Sequence, residues 1–172
     1  VDPALPSLLV QQPGFGLPGH VLYLGRVPAG VVPQAIENVL STIASDPGYQ
    51  WTSEIVFLIG ESGRAEHEQI LRAQLENLSV RDAVLMVLSE RPVAADRQLY
   101  LSGLESPQLN TVEACLQALQ KLPRSREAAE QWSLLSCARR LIGDKREFRL
   151  RETVMRLLQN NNEQTLKFEF GE

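Results

Sequence analysis

Apolar residues recur along most of the chain at the three- and four-residue spacing of an α-helix, in short segments that Pro, Gly and Asp separate. The first predicted helix carries Ile36, Val39 and Ile43. Asp46-Pro47-Gly48 ends it. The same spacing predicts further helices at residues 51–59, 70–78, 83–88, 94–103, 106–122, 126–142 and 147–160. Because the loops between them are short, consecutive helices must pack antiparallel, and we predict an all-α fold.

Two of these helices are apolar on nearly every side. They contain residues 55–59 and 83–88, and a helix without a broad polar face is buried on both sides. Both runs are rich in β-branched residues, which also suit strands. We favour helices, because neither run alternates between apolar and polar residues and both have helical neighbours.

One short pattern recurs in every second predicted helix. An acidic residue precedes a small or β-branched residue and then two apolar residues, and the acidic positions are Glu54, Asp82, Glu113 and Glu152, spaced by 28, 31 and 39 residues. Each acidic residue is expected near a helix start, where it suits the helix dipole. Two-helix repeats of about 30–40 residues indicate an α-solenoid. We therefore predict a HEAT-like, right-handed α-solenoid of about four antiparallel helix pairs over residues 20–160. The alternative is a helical bundle without repeats.

The two ends of the chain differ from this helical middle. Residues 1–19 are dense in Pro and Gly and are predicted to be irregular. Residues 161–172 alternate apolar and charged side chains, as a strand does, and are predicted to form an extended tail that leads toward a further domain. Because the first residue is Val1, we interpret the chain as a piece excised from a larger protein.

The composition agrees with helices packed through aliphatic side chains. Of the 172 residues 44% are hydrophobic but only 6% are aromatic, a balance that disfavours a β-sandwich. Two cysteines exclude a disulfide-dense scaffold. No apolar run approaches the roughly 20 residues that a membrane span needs. The net charge of −4 argues against a general nucleic-acid binder.

Positive charge is concentrated in the C-terminal third of the chain. Residues 121–172 carry eleven Lys and Arg against eight Asp and Glu, whereas residues 1–120 carry six against thirteen. Because Asp144, Glu147 and Glu152 interleave with the basic residues, one interpretation is a solvated face laced with salt bridges. The other is a surface for an anionic partner, formed by Arg139, Arg140, Lys145, Arg146, Arg149 and Arg156.

No group of side chains predicts catalysis or a metal ion. His20 and His67 lack a metal-binding spacing, and His67 is expected on the surface because its neighbours are polar. Ser62 lies within the run 60–63, but a nucleophile elbow needs Gly-x-Ser-x-Gly between a strand and a helix. We therefore predict an ordinary loop at Ser62.

The two cysteines, Cys115 and Cys137, fall on apolar helical faces and are expected to be buried thiols. A disulfide would need their Cα atoms within about 7 Å, which sequence spacing leaves open. There is no Cys-x-x-Cys-His motif for attaching haem. We predict no catalytic, cofactor-binding or metal-binding residue in this segment.

Several stretches resemble a known helical segment: residues 16–28, residues 106–108 with 116–123, and residues 139–145 with 150–152. That segment occurs in large multidomain proteins of planctomycete-type bacteria, between a propeller-like dehydrogenase module and a c-type cytochrome module. The resemblance implies a domain that is exported with its neighbours, to the periplasm or the cell exterior, and acts as a spacer or docking platform. The haem motif and propeller repeats are absent here, so the resemblance carries over no catalytic residue.

We therefore expect a non-catalytic scaffold or protein-interaction repeat domain from a larger, exported redox protein. Its partners would be neighbouring domains of the parent chain or another protein, and the solenoid ends could also pair two copies. One alternative is a basic surface that binds nucleic acid or another polyanion, which steep salt dependence would favour. The other is an enzyme domain with an unrecognised site, which a cavity enclosing groups with shifted pKa values would favour.

Overall fold

A computed structural model describes residues 4–12, 14–17, 20 and 27–169. Within these residues every regular element is a helix and no strand occurs, which confirms the all-α prediction. Short 3-10 turns precede α2 and α6. The α-helices are α1 (Leu5–Val10), α2 (Val32–Ser45), α3 (Ser53–Gly60), α4 (Ala65–Arg72), α5 (Arg81–Glu90), α6 (Arg97–Gly103), α7 (Leu109–Lys121), α8 (Ala128–Arg140) and α9 (Lys145–Glu169).

The chain divides into two compact units, Val1–Val87 and Leu88–Glu172. In the first unit α1 packs on α2, α2 on α3 and α3 on α4. The two apolar runs lie in α3 and α5, as predicted, and their β-branched side chains are part of the core between helices. The buried residues of these runs include Ile55, Val56, Ile59, Val84 and Leu85.

The N-terminal segment, predicted to be irregular over residues 1–19, contains a helix. α1 spans Leu5–Val10 and has a proline in its first turn, where the missing N–H does no harm. Beyond α1, Phe15 is buried, and the Tyr49 hydroxyl donates a hydrogen bond to the carbonyl oxygen of Gly16. Contacts with residues far along the chain therefore give this stretch a structure that its own composition did not indicate.

α3 and α5 approach each other closely at Gly60, the last residue of α3. A Cβ atom at Gly60 would lie 2.6 Å and 2.8 Å from the two Cγ atoms of Val87, well inside van der Waals contact. Val87 is buried, and its β-branched side chain has little rotamer freedom. The packing of α3 on α5 therefore requires glycine at this position.

The recurring acidic pattern falls on every second helix, α3, α5, α7 and α9. Glu54 and Asp82 lie in the first turns of their helices, as expected. The expectation is wrong for Glu113 and Glu152, which lie further along α7 and α9. The pattern instead marks burial, because its third residue is 0% exposed in all four copies, at Val56, Val84, Cys115 and Val154.

The second unit consists of two helix pairs. Within the pairs α6 packs on α7 and α8 packs on α9. Between the pairs α6 packs on α8 and α7 packs on α9. The first helices of the pairs are therefore neighbours, and so are the second helices.

A buried ion pair joins the first helices of these two pairs. The Nη1 atom of Arg97 in α6 lies 2.9 Å from both carboxylate oxygens of Glu130 in α8. The Arg97 and Glu130 side chains are only 16% and 4% exposed. The Nη2 atom of Arg97 also donates to the carbonyl oxygen of Pro123, before α8 begins. Because a buried carboxylate needs a charged partner, Arg97 fixes how α6 and α8 meet.

α9 is longer than predicted. The extended tail predicted over residues 161–172 is wrong for residues 161–169, because the helix continues to Glu169. No Gly or Pro stands between Gly143 and Gly171 to end it. The alternation of apolar and charged residues near the C-terminus therefore did not indicate a strand.

Replacing Gly60 with Ala is expected to lower the free energy of unfolding by about 1–3 kcal/mol, because the new methyl group overlaps Val87. Gly30→Ala is the matched control, since a Cβ atom there meets nothing within 4 Å. Urea unfolding followed by far-UV circular dichroism measures both. Equal stability of the two variants would contradict the close approach of α3 and α5.

Arg97→Ala is expected to lower the free energy of unfolding by about 3–5 kcal/mol, because it leaves the buried Glu130 carboxylate unpaired. The double variant R97M/E130L removes both charges and should recover most of that loss. Glu113→Ala breaks an exposed ion pair with Arg146 and is the control, with an expected cost of about 1 kcal/mol or less. Urea titrations measure the free energy of unfolding of the three variants. If R97A loses no more of it than E113A, the buried ion pair does not stabilise the fold as described.

The free energy of unfolding is expected to fall as the pH rises from about 10 to about 12. Burial raises the pKa of Tyr49 from 10.0 to about 12, so the folded chain keeps a neutral phenol that the unfolded chain has lost. The contribution of Tyr49 to the free energy of unfolding is fully present below its pKa in the unfolded chain. It is lost as the pH rises through its pKa in the folded chain. Urea midpoints across this range should decline less in Tyr49→Phe. Identical declines would assign the effect to other groups.

Candidate interaction surfaces

All six residues of the predicted anionic-partner surface are exposed, but two of them are engaged within the second unit. Arg140, at the end of α8, donates from Nη1 to the carbonyl oxygen of Glu105 at 2.7 Å and from Nη2 to that of Leu104. These carbonyls follow α6, where a cation suits the negative end of the helix dipole. Arg146 donates from Nη2 to Glu113, at 3.0 Å, and to Asn110.

The other four residues form no ion pair with the described part of the chain; they are Arg139, Lys145, Arg149 and Arg156. Arg139 ends α8 and the other three lie along α9. Arg146 belongs to a salt-bridged face, whereas Arg149 and Arg156 are available to a partner.

The start of α9 is fixed by an N-terminal cap. The carboxylate of Asp144 accepts hydrogen bonds from the backbone N–H groups of Glu147 and Arg146, at 3.0 and 2.8 Å. These bonds hold the pKa of Asp144 below its usual value. The Glu147 carboxylate in turn accepts a hydrogen bond from the backbone N–H of Gly143, at 2.6 Å. Two acidic residues of the basic region are thus occupied in starting the helix.

One face of α9 carries exposed apolar side chains beside arginines. Phe148 is 59% exposed and Met155 is 42% exposed. Together with Arg151, Glu152, Arg156 and Gln159 they line a shallow groove of about 340 Å³ along the helix. Sequence reasoning missed Phe148 and Met155 as surface residues, although their spacing from Arg151 shows that they share a face. We call this surface the outer face of α9.

A smaller groove in the second unit exposes Trp132. It has a volume of about 260 Å³ and is lined by Leu104, Trp132, Cys137 and Arg140 among others. Cys115 and Cys137 are both buried, as expected, and form no disulfide. Burial raises the pKa of the Cys137 thiol, against the opposing charge and hydrogen bond of Arg140. Cys137 therefore remains a thiol at neutral pH, and a thiol is a poor nucleophile.

The first unit contains a cavity of about 380 Å³ between α2 and the start of α4. The prediction that His67 lies on the surface is wrong, because His67 is 6% exposed and lines this cavity. Its Nδ1 atom lies 2.8 Å from the Ser62 hydroxyl. Glu37, Glu61 and Arg64 also line the cavity. The polar neighbours of His67 in the sequence did not indicate its burial, because adjacent helical residues lie on different faces: α4 turns His67 inward while Glu66 stays exposed.

Ser62 lies in a turn between α3 and α4, as predicted. Its hydroxyl donates to the carbonyl oxygen of Ile59 at 2.9 Å and accepts from the backbone N–H of Arg64 at 3.3 Å. Ser62 therefore ends α3 and holds the His67 ring.

Comparisons with known proteins give no assignment: no family model, curated protein or solved structure matches this chain. Among the described residues, no three His, Cys, Asp or Glu side chains are grouped so that they could hold a metal ion. In the same part of the chain, no helix combines the length and apolar character needed to cross a bilayer.

Proposed function

We propose that this chain is a HEAT-like helical-repeat domain that acts as a scaffold and binds an acidic, amphipathic helix of a protein partner along the outer face of α9. The observation that carries the proposal is the exposure of Phe148 and Met155 on one face of α9, where both line the same groove. Exposed apolar side chains grouped on one face of a helix mark an interaction surface.

The repeat interpretation rests on packing and on the recurring pattern. In the second unit the first helices of the two pairs are neighbours, and so are the second helices, which is the neighbour relation of an α-solenoid. The third residue of the acidic pattern is fully buried in all four copies. A helical bundle without repeats has no reason to bury the same position at each recurrence.

The charge of α9 selects the partner. Residues 145–159 carry five Lys and Arg against two Glu, and the Arg151 and Arg156 side chains flank the exposed Phe148 and Met155. An amphipathic helix supplies apolar side chains at the matching spacing, and acidic residues beside them would pair with the arginines. Single-stranded nucleic acid fits less well: a base could stack on Phe148, but the Glu152 carboxylate in the same groove would repel closely spaced phosphates.

A synthetic amphipathic peptide of Leu, Ala and Glu, labelled for fluorescence anisotropy, tests this proposal. The double variant F148S/M155S is expected to raise its Kd about tenfold or more, because apolar contacts at the centre of a groove carry most of the binding energy. R151E/R156E should raise the Kd by at least about tenfold through charge repulsion. R124E/R126E reverses two exposed charges before α8 and is the matched control, with a change of about twofold or less expected.

Three results would overturn this proposal. Unchanged peptide binding in F148S/M155S would show that the apolar side chains are not used. Tight, strongly salt-dependent binding of a single-stranded oligonucleotide, weakened equally by R151E/R156E and R124E/R126E, would indicate a polyanion surface instead. A dimer in sedimentation that F148S/M155S dissociates would make a second copy the occupant.

A further inference from the structure

We propose that the cavity of the first unit is a binding site for a primary alkylammonium group, whose aliphatic stem lies on the apolar wall of the cavity. This site is separate from the outer face of α9, which belongs to the other unit. The two proposals are therefore tested with different ligands and different variants.

The hydrogen bonds of Ser62 assign the protonation of the His67 ring. The Ser62 hydroxyl has one proton, which it donates to the carbonyl oxygen of Ile59 at 2.9 Å. The 2.8 Å contact between Ser62 Oγ and His67 Nδ1 then needs the proton on Nδ1. In the neutral imidazole, His67 Nε2 is consequently a lone-pair acceptor.

This acceptor is available to a ligand. The Nε2 atom of His67 forms no hydrogen bond with the described residues. Nε2 is not fully enclosed either, because Thr111 Oγ1 is the only fully enclosed side-chain N or O atom without a partner in the described part of the chain. His67 is 6% exposed and lines the cavity, so the cavity is the place from which Nε2 can be reached. A ligand that enters the cavity can therefore donate a hydrogen bond to this nitrogen.

Two further side chains of the cavity accept hydrogen bonds as well. Glu37 and Glu61 offer carboxylates, and Arg64 is the single cation among the lining residues. Arg64 Nη1 reaches Glu37 Oε1 only at 3.9 Å, with both side chains more than half exposed, so the pair is weak and easily rearranged. An ammonium group carries three donors and a positive charge, which this set of acceptors matches.

The surroundings also favour a cation. Residues 1–87 contain four Arg and no Lys against nine Asp and Glu, a formal net charge of −5. Such a field concentrates cations and repels anions. The cavity lining also includes Val32, Pro33 and Ile36 of α2, apolar side chains that suit a chain of methylene groups. An amine with a stem of four or five carbons, such as a lysine side chain, combines both features.

Titration of the full chain with n-pentylammonium chloride tests the site by NMR. The chain has only two histidines, so the His67 ring signals should shift saturably while those of His20 serve as an internal reference. Pentanoate and n-pentanol have the same stem without the cation and should not shift His67. Calorimetry should show a Kd raised about tenfold in Glu61→Gln and in Glu37→Gln, which each remove an exposed carboxylate of the cavity.

Glu54→Gln is the matched control, because Glu54 is an exposed carboxylate of α3 outside the cavity. It should leave the Kd unchanged within about twofold. His67→Gln tests the buried acceptor, and the two glutamate variants keep the test valid if His67→Gln does not fold. The absence of a saturable His67 shift, equal binding of pentanoate, or an effect of E54Q as large as that of E61Q would each overturn the site.

A second ligand distinguishes a lysine side chain of a protein partner from a free small-molecule amine. A short peptide with one central lysine, capped at both ends, presents the same stem and charge. Binding of this peptide at least as tight as that of n-pentylammonium indicates the lysine of a protein partner. Binding of the free amine alone indicates a small-molecule site, and the same peptide with norleucine in place of lysine should fail to bind in either case.

Discussion

The shortness of the helices governs the rest of this structure. Of the nine α-helices in the described part of the chain, eight have between six and fourteen residues, and helices of that length are marginal in water on their own. Each one persists only because it buries an apolar face on a neighbour. The fully buried third residue of the recurring pattern, the fit of Gly60 against Val87, and the pairing of Arg97 with Glu130 are all ways of meeting this requirement.

The same requirement gives meaning to the outer face of α9. Apolar side chains that no neighbouring helix covers stay exposed, as Phe148 and Met155 do on α9. The arginines beside them keep this face soluble and, in the function proposed above, select an acidic partner.

The two units carry different electrostatic characters. The first has a formal net charge of −5, and the second, with thirteen Lys and Arg against twelve Asp and Glu, has +1. The cavity at His67 and the outer face of α9 would therefore attract ligands of opposite charge. In the two functions proposed above, each surface would repel the ligand of the other.

The sequence by itself determined the helical class, the positions of most helices and the burial of their apolar faces, because helical periodicity and Pro, Gly and Asp breakers act within a few residues. Only the tertiary structure decided that α1 forms, that Glu130 is buried with Arg97, that Arg140 caps α6, and that His67 lines a cavity. The Arg97 and Arg140 contacts join residues 33 and 35 positions apart, and the cavity brings α2 against the start of α4. Which helix supplies the partner of a charged side chain depends on the packing of whole helices, and local pattern contains no information about that.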